Sequence, residues 1–282
     1  MSEYQYYEFQ TVDRRLTEKE MHELRLCSTR ARITATSFVN EYNWGDFKGD
    51  SNVWMEKYFD GHLYFANWGT RILQLALPEK LLPEKTARLY CSTDVASARR
   101  APGKLILRFI SDEEGGYDEM LEGDGLLSSL LPLRDDIASG DLRALYLGWL
   151  MGVQLHHADD GEIEPPVPPN LGKLSGVLSD FAEFLHIDRD LIAVAAEASP
   201  LITSHKPTRT ELTTWLTSVP ANEKDSILLD LMSGENPHAG ASLIARFNRD
   251  RTGGVSKPAQ PRRKAAELRA AAEERAKKGG RN

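Results

Sequence analysis

Phe38-Val39-Asn40-Glu41-Tyr42-Asn43-Trp44-Gly45-Asp46-Phe47-Lys48-Gly49-Asp50, running on to Trp68, is the stretch whose reading decides the fold. Between Phe38 and Trp68, 31 residues hold ten of the chain's 23 aromatic side chains: Phe38, Tyr42, Trp44, Phe47, Trp54, Tyr58, Phe59, Tyr64, Phe65 and Trp68. Large rings bury more apolar area per residue than other side chains, so this density marks the centre of a core. Within it, Trp44–Asp50 is polar and punctuated by Gly45 and Gly49. Such a loop is the best candidate for an exposed functional surface. Residues 52–66 read as a helix, with Trp54, Tyr58 and Phe59 at near-helical spacing, although Gly61 weakens its second half.

Outward from this stretch, residues 4–12 alternate in aromatic and β-branched types and predict a strand. Thr17-Glu18-Lys19-Glu20 is a capping box, with Leu16 and Met21 flanking it, and predicts a helix to about Ser28. Residues 31–42 read as extended. Residues 70–77 and 104–110 read as two further strands. Together these elements predict an α+β fold: a mixed sheet with two helices on one face, in an order that resembles a ferredoxin-like plait. An architecture of that kind implies no activity.

The rest reads as helical. Pro132 opens a helical region, and Asp141–Gln154 is its clearest amphipathic segment. Gly148 and Gly152, four apart in that apolar helix, mark close packing in a soluble chain. Five short helices are expected near 171–186, 188–198, 208–217, 221–233 and 237–250, with Thr208-Arg209-Thr210-Glu211 as a second capping box. The domain reading is an α+β unit over 1–161, a proline-rich spacer at 162–170, a helical region over 171–250 and a basic tail over 251–282. In that tail, 251–261 reads as a flexible linker, and 262–278 as a solvated helix without an apolar stripe.

The opening Glu3-Tyr4-Gln5-Tyr6-Tyr7-Glu8-Phe9-Gln10, the Trp44–Asp50 block and Pro132-Leu133-Arg134-Asp135-Asp136 together resemble a bacterial protein family without assigned activity, over roughly residues 1–200. The resemblance brings no catalytic residues with it.

Composition bounds the class. A hydrophobic content of 41% and a charged content of 27% are those of an ordinary globular protein. No apolar run is long enough to span a membrane, and no secretory leader is visible at the start. Cys27 and Cys91 stand far apart, which reads as reduced thiols in a cytoplasmic protein. The net charge of −7 conceals an asymmetry: residues 246–282 carry a net +8 and the remainder −15. An acidic body disfavours a broad nucleic-acid face, because phosphate binding requires cationic neutralisation. The tail is the one segment that could supply it.

Candidate chemistry is sparse. His156, His157, Asp159 and Asp160 are the only close group of metal-ligating types, but adjacent histidines on a helix diverge and no HExxH spacing occurs. The acidic loop 112–125 lacks the order of an EF-hand loop. The Trp44–Asp50 loop does not match a phosphate-binding loop. Either its rings pack inward around tight turns, or Tyr42, Trp44, Phe47 and Lys48 form an anchor patch for a partner. Arg262, Arg263 and Lys264 are the tail's candidate contacts with a partner, with nucleic acid, or with the chain's own acidic body.

The leading expectation is a cytoplasmic, non-enzymatic interaction or adaptor protein with a protein partner, no cofactor and no membrane association. Two alternatives stand beside it: a nucleic-acid-associated factor using the tail, and a metal-dependent hydrolase using His156 and His157.

Overall fold

The computed structural model describes residues 4–112, 123, 125–201, 208–233, 239–252 and 262–279. The expected acidic loop lies outside them except for Asp112, Gly123 and Gly125, and so does the linker 251–261 except for its first two residues. The fold is α+β. Its strands are β1 (Gln5–Gln10), β2 (Arg32–Ile33), β3 (Ser37–Tyr42), β4 (Gly61–Ala66), β5 (Thr70–Pro78), β6 (Ala96–Ala101) and β7 (Lys104–Asp112). They form one seven-stranded sheet in the order β2-β3-β1-β4-β5-β7-β6. Every pairing is antiparallel, so the sheet is not mixed; its first four strands run β2-β3-β1-β4, with β3 lying between β1 and β2, which is the split β-α-β arrangement of the expected ferredoxin-like plait.

The helices interleaved with these strands are α1 (Glu18–Cys27), α2 (Ser51–Lys57) and α3 (Glu84–Ala87). The capping box at Thr17 is formed, with the Thr17 hydroxyl accepting from the Glu20 amide and the Glu20 carboxylate accepting from Thr17 N–H. The helix expected over 52–66 is instead α2 followed by β4. The amides of Tyr58 and Phe59 both donate to the Trp54 carbonyl, which closes the helix. Asp60 N–H then donates to the Gln10 carbonyl, and Gly61–Ala66 enters the sheet between β1 and β5. A side chain at Gly61 would place its Cβ 2.6 Å from Leu131, so close helix packing, not helix breaking, explains this glycine. β4 escapes a periodicity reading because a central strand is covered on both faces, and all six of its residues are buried.

The two helices expected on one face, α1 and α2, share it, and later helices cover the other. The first face packs Phe9, Phe38, Ala76 and Ile106 against Leu24 of α1 and Trp54, Met55, Tyr58 and Phe59 in and after α2. The second packs Leu63, Phe65, Leu73, Leu75, Leu107 and Phe109 against the later helices. The later helices are α4 (Leu126–Leu130), α5 (Leu133–Ala138), α6 (Arg143–Gln154), α7 (Gly176–Phe184), α8 (Arg189–Ala196), α9 (Arg209–Ser218), α10 (Ala221–Ser233), α11 (Ala239–Thr252) and α12 (Ala265–Gly279), of which α4 to α8 and α12 contribute side chains to this core. α6 is buried along its length, and a Cβ at Gly148 would stand 2.4 Å from the Phe109 ring. The close-packing reading of that glycine therefore holds.

The proline-rich segment 162–170 runs along this second layer. Glu164, Pro165 and Pro168 are buried, and Tyr90 donates its hydroxyl to the Pro166 carbonyl at 2.9 Å. Beyond it, Phe181 of α7 meets Phe109 edge-on at 5.1 Å, so α7 shares its core with the sheet. The helix expected over 262–278 is α12, and it is not solvated all round: Ala265, Leu268 and Ala272 are buried against α8 and α6. Its apolar stripe is narrow because alanine supplies most of it, and alanine signals little hydrophobicity in a sequence.

Candidate functional site

On the first face, α1 and α2 pack over Phe38, Phe9, Ala76 and Ile106. Register defines what lies beyond them. One row across the sheet reads Phe38, Phe9, His62, Gln74, Arg108, Ser97, and the next reads Asn40, Tyr7, Tyr64, Ile72, Ile110. Tyr42 and Gln5 pair in the row after that.

The Trp44–Asp50 loop crosses the β1–β3 side of this face and resolves the two readings of its rings. Phe47 turns inward, stacking on Tyr7 at 4.7 Å and meeting Trp54 edge-on at 4.8 Å. Gly49 sits so close to both rings that a Cβ there would lie 2.5 Å from Phe47. Gly45 takes φ +84°, in the left-handed region that favours glycine. Trp44 points the other way: its indole is 75% exposed, with the Arg30 guanidinium 6.0 Å from the ring. Lys48 is exposed, and Tyr42 is half-buried with its ring edge-on to Tyr7 at 5.7 Å.

Gln5 fastens the loop to the sheet. Its amide donates to the Gly45 carbonyl at 3.2 Å and to Asp46 Oδ1 at 3.4 Å, while its Oε1 accepts from the Tyr7 and Tyr64 hydroxyls. Burial, followed by Tyr42 and Asp46, pushes the Tyr7 phenol up to about 12; burial and Tyr7 raise Tyr64 further. Both are protonated donors at neutral pH.

The β4–β7 side of the face is built differently. His62 is 1% exposed and stacks on Phe9 at 4.0 Å. Its Nδ1 lies 3.1 Å from the Glu8 carbonyl, which can only accept, so this nitrogen carries the proton. Burial lowers the imidazole to about 4, and the nearby Arg108 charge acts in the same direction. The ring is therefore neutral at pH 7. Gln74 and Arg108 occupy the next two positions of the row, and neither was singled out from the sequence. The available signal was a polar residue at the centre of each otherwise apolar strand, Leu73-Gln74-Leu75 and Leu107-Arg108-Phe109.

The tail cations lie elsewhere, on the acidic body. Arg263 pairs bidentately with Glu164, Nε donating to Oε2 at 2.9 Å and Nη2 to Oε1 at 2.7 Å, and also donates to the Val194 carbonyl at 2.7 Å. Ile163 and Lys264 form an antiparallel bridge beside this pair. Arg269 pairs with Asp160, and Arg275 with Asp190 at 3.1 Å. The self-directed reading of the tail is the one these contacts realise; Arg262 and Lys264 are exposed. His156, at φ 59°, and His157 are exposed, as are Asp159 and Asp160. Among the described residues, no three His, Cys, Asp or Glu side chains converge as a metal ion would require. Burial pushes the Cys91 thiol up to about 12, so it is not a thiolate nucleophile at neutral pH.

Compared with protein-family models, with curated proteins and with solved structures, the chain matches none. The fold and this face are what a functional reading has to work with.

Proposed function

We propose that the chain is a cytoplasmic, non-enzymatic interaction protein that engages a protein partner through the Trp44–Asp50 loop. The observation that carries this reading is the division of labour between its two rings. Phe47 and Gln5 tie the loop to the sheet, and Trp44 stands 75% exposed. Exposing a tryptophan on an anchored turn forgoes burial that the adjacent core could provide. Rigid aromatic anchors with a flanking cation are the residues that dominate binding hot spots. Arg30 beside Trp44, with Tyr42 and Lys48 nearby in the chain, supplies the amphipathic surround. Among the described residues, no helix is long and apolar enough to cross a membrane.

The test is capture from native lysate by the wild-type chain and by Trp44→Ala, at low and moderate salt. The wild type is expected to recover a stoichiometric protein that Trp44→Ala loses, with both chains melting at the same temperature because the indole is outside the core. Identical capture by the two chains overturns the reading.

A further inference from the structure

α9 and α11 meet around a cleft of about 370 Å³, lined by Thr210, Glu211, Thr214, Trp215, Phe247 and Asp250. Helical spacing builds its α9 wall: Glu211 and Trp215 stand four residues apart, as do Thr210 and Thr214, so each pair shares a face. Trp215 is half-buried, and Phe247 of α11, 3% exposed, backs it edge-on at 5.6 Å. The indole N–H donates to Asp250 Oδ2 at 2.9 Å, which fixes the ring and sets a carboxylate at its rim. Thr210, Thr214 and Asp250 are exposed, so the cleft opens to solvent.

The polarity of this cleft is one-sided, because its proton donors are already committed. The Thr214 hydroxyl donates to the Thr210 carbonyl at 2.9 Å, the Glu211 amide to the Thr208 hydroxyl at 3.2 Å, and the Trp215 N–H to Asp250. What the cleft offers a ligand is an aromatic surface between two carboxylates, Glu211 and Asp250, which attracts a cation and repels an anion. Arg246 and Lys224, cations of the adjoining helices, are engaged elsewhere, by Glu223 at 2.7 Å and by the Leu216 carbonyl at 3.2 Å. We propose that the α9–α11 cleft binds a guanidinium group, carried by an arginine side chain of a polypeptide or by a free guanidino compound. A cation within about 6 Å of the indole centroid gains from the ring, and at that position it also lies beside the Asp250 carboxylate at the ring's rim. A guanidinium is flat, so it stacks on the indole while its in-plane N–H groups reach the acidic walls. A quaternary ammonium has no N–H for those acceptors, and a lysine ammonium is compact and strongly hydrated. The cleft uses no residue of the Trp44–Asp50 loop, and its failure leaves the partner reading standing.

The full chain is titrated at low ionic strength with N-acetylargininamide, N-acetyllysinamide and N-acetylcitrullinamide, the last an uncharged near-isostere of the first. Binding is followed in a nitrogen–proton correlation spectrum, with the Trp215 indole signal assigned from its loss in Trp215→Phe. N-acetylargininamide is expected to bind saturably near the millimolar range, with shifts centred on Thr214, Trp215, Phe247 and Asp250. The lysine compound is expected to bind at least about threefold more weakly, and the citrulline compound not to bind. Glu211→Gln with Asp250→Asn keeps the helix cap and an acceptor for the indole but removes both charges, and should weaken N-acetylargininamide at least about tenfold. The peptide Gly-Gly-Arg-Gly-Gly distinguishes the source: if it binds as well as N-acetylargininamide, the ligand is an arginine side chain, and if it is excluded, a free guanidino compound. The shift map needs no variant and so stands even if a substitution unfolds the chain. Absence of binding at about 10 mM, shifts mapping away from the cleft, equal binding of the citrulline or lysine compound, or undiminished binding by the doubly substituted chain overturns the proposal.

Discussion

His62 makes the stability of this protein depend on pH. Its imidazole is held neutral down to about 4, against an ordinary value of 6.5, chiefly because burial between Phe9 and the strands penalises the charged ring. A depressed histidine value means that the unfolded chain takes up its proton first, so this contribution is whole above pH 6.5 and is lost as pH falls from there toward 4. Each pH unit within the window costs about 1.4 kcal/mol, so moving from pH 7 to pH 5 removes about 2 kcal/mol through this one side chain. His62→Gln retains a donor for the Glu8 carbonyl but does not titrate. Urea unfolding at pH 7 and pH 5 should therefore show the wild type losing about 2 kcal/mol more than His62→Gln across the interval, with the slope against denaturant unchanged. Equal losses in the two chains would refute the burial argument, because they would mean that His62 protonates as readily in the folded state as in the unfolded one.

Two further predictions concern the second face. Arg263→Ala leaves Glu164, whose side chain is 2% exposed, as a buried carboxylate supported only by the Tyr146 hydroxyl and its neighbours, so it should cost about 3 kcal/mol. Hydrogen exchange should then quicken along α12, and unchanged protection there would argue that the latch contributes nothing. Gly148→Ala drives a Cβ into the fully buried Phe109 ring and should lower stability by about 1–3 kcal/mol in calorimetry, despite alanine's better helix propensity; a stabilised variant would contradict the packing.

Much of the fold was legible because local chemistry and tertiary context agree there. Both capping boxes form, at Thr17 and at Thr208, since a hydroxyl three residues before a glutamate satisfies the same two amides in any context. α6 and the short helices after it fall where apolar spacing places them. Two strands were not legible. β4 follows three rings at near-helical spacing and is buried on both faces, so it lacks the alternation of a half-exposed strand. β6, Ala96–Ala101, has a composition of alanine and arginine that favours helix and becomes a strand only through its pairing with β7.

The loop was legible as a surface, but not its division into an inward Phe47 and an outward Trp44, because Tyr7 and Trp54, which receive Phe47, are reached only through the fold. Gln74 and Arg108 passed unremarked for the same reason: 34 residues apart in the chain, they become neighbours by the register of β5 on β7. The sequence by itself settled the α+β class, the helix starts, the aromatic centre and the opposed charges of body and tail. These depend on composition and on contacts within a few residues. Tertiary structure decided the antiparallel strand order, the second covered face, the seating of α12 on Glu164 and the pairing of Gln74 with Arg108. Each of these is set by which distant segments meet, and long-range pairing is specified by the whole packed core rather than by any one stretch of it.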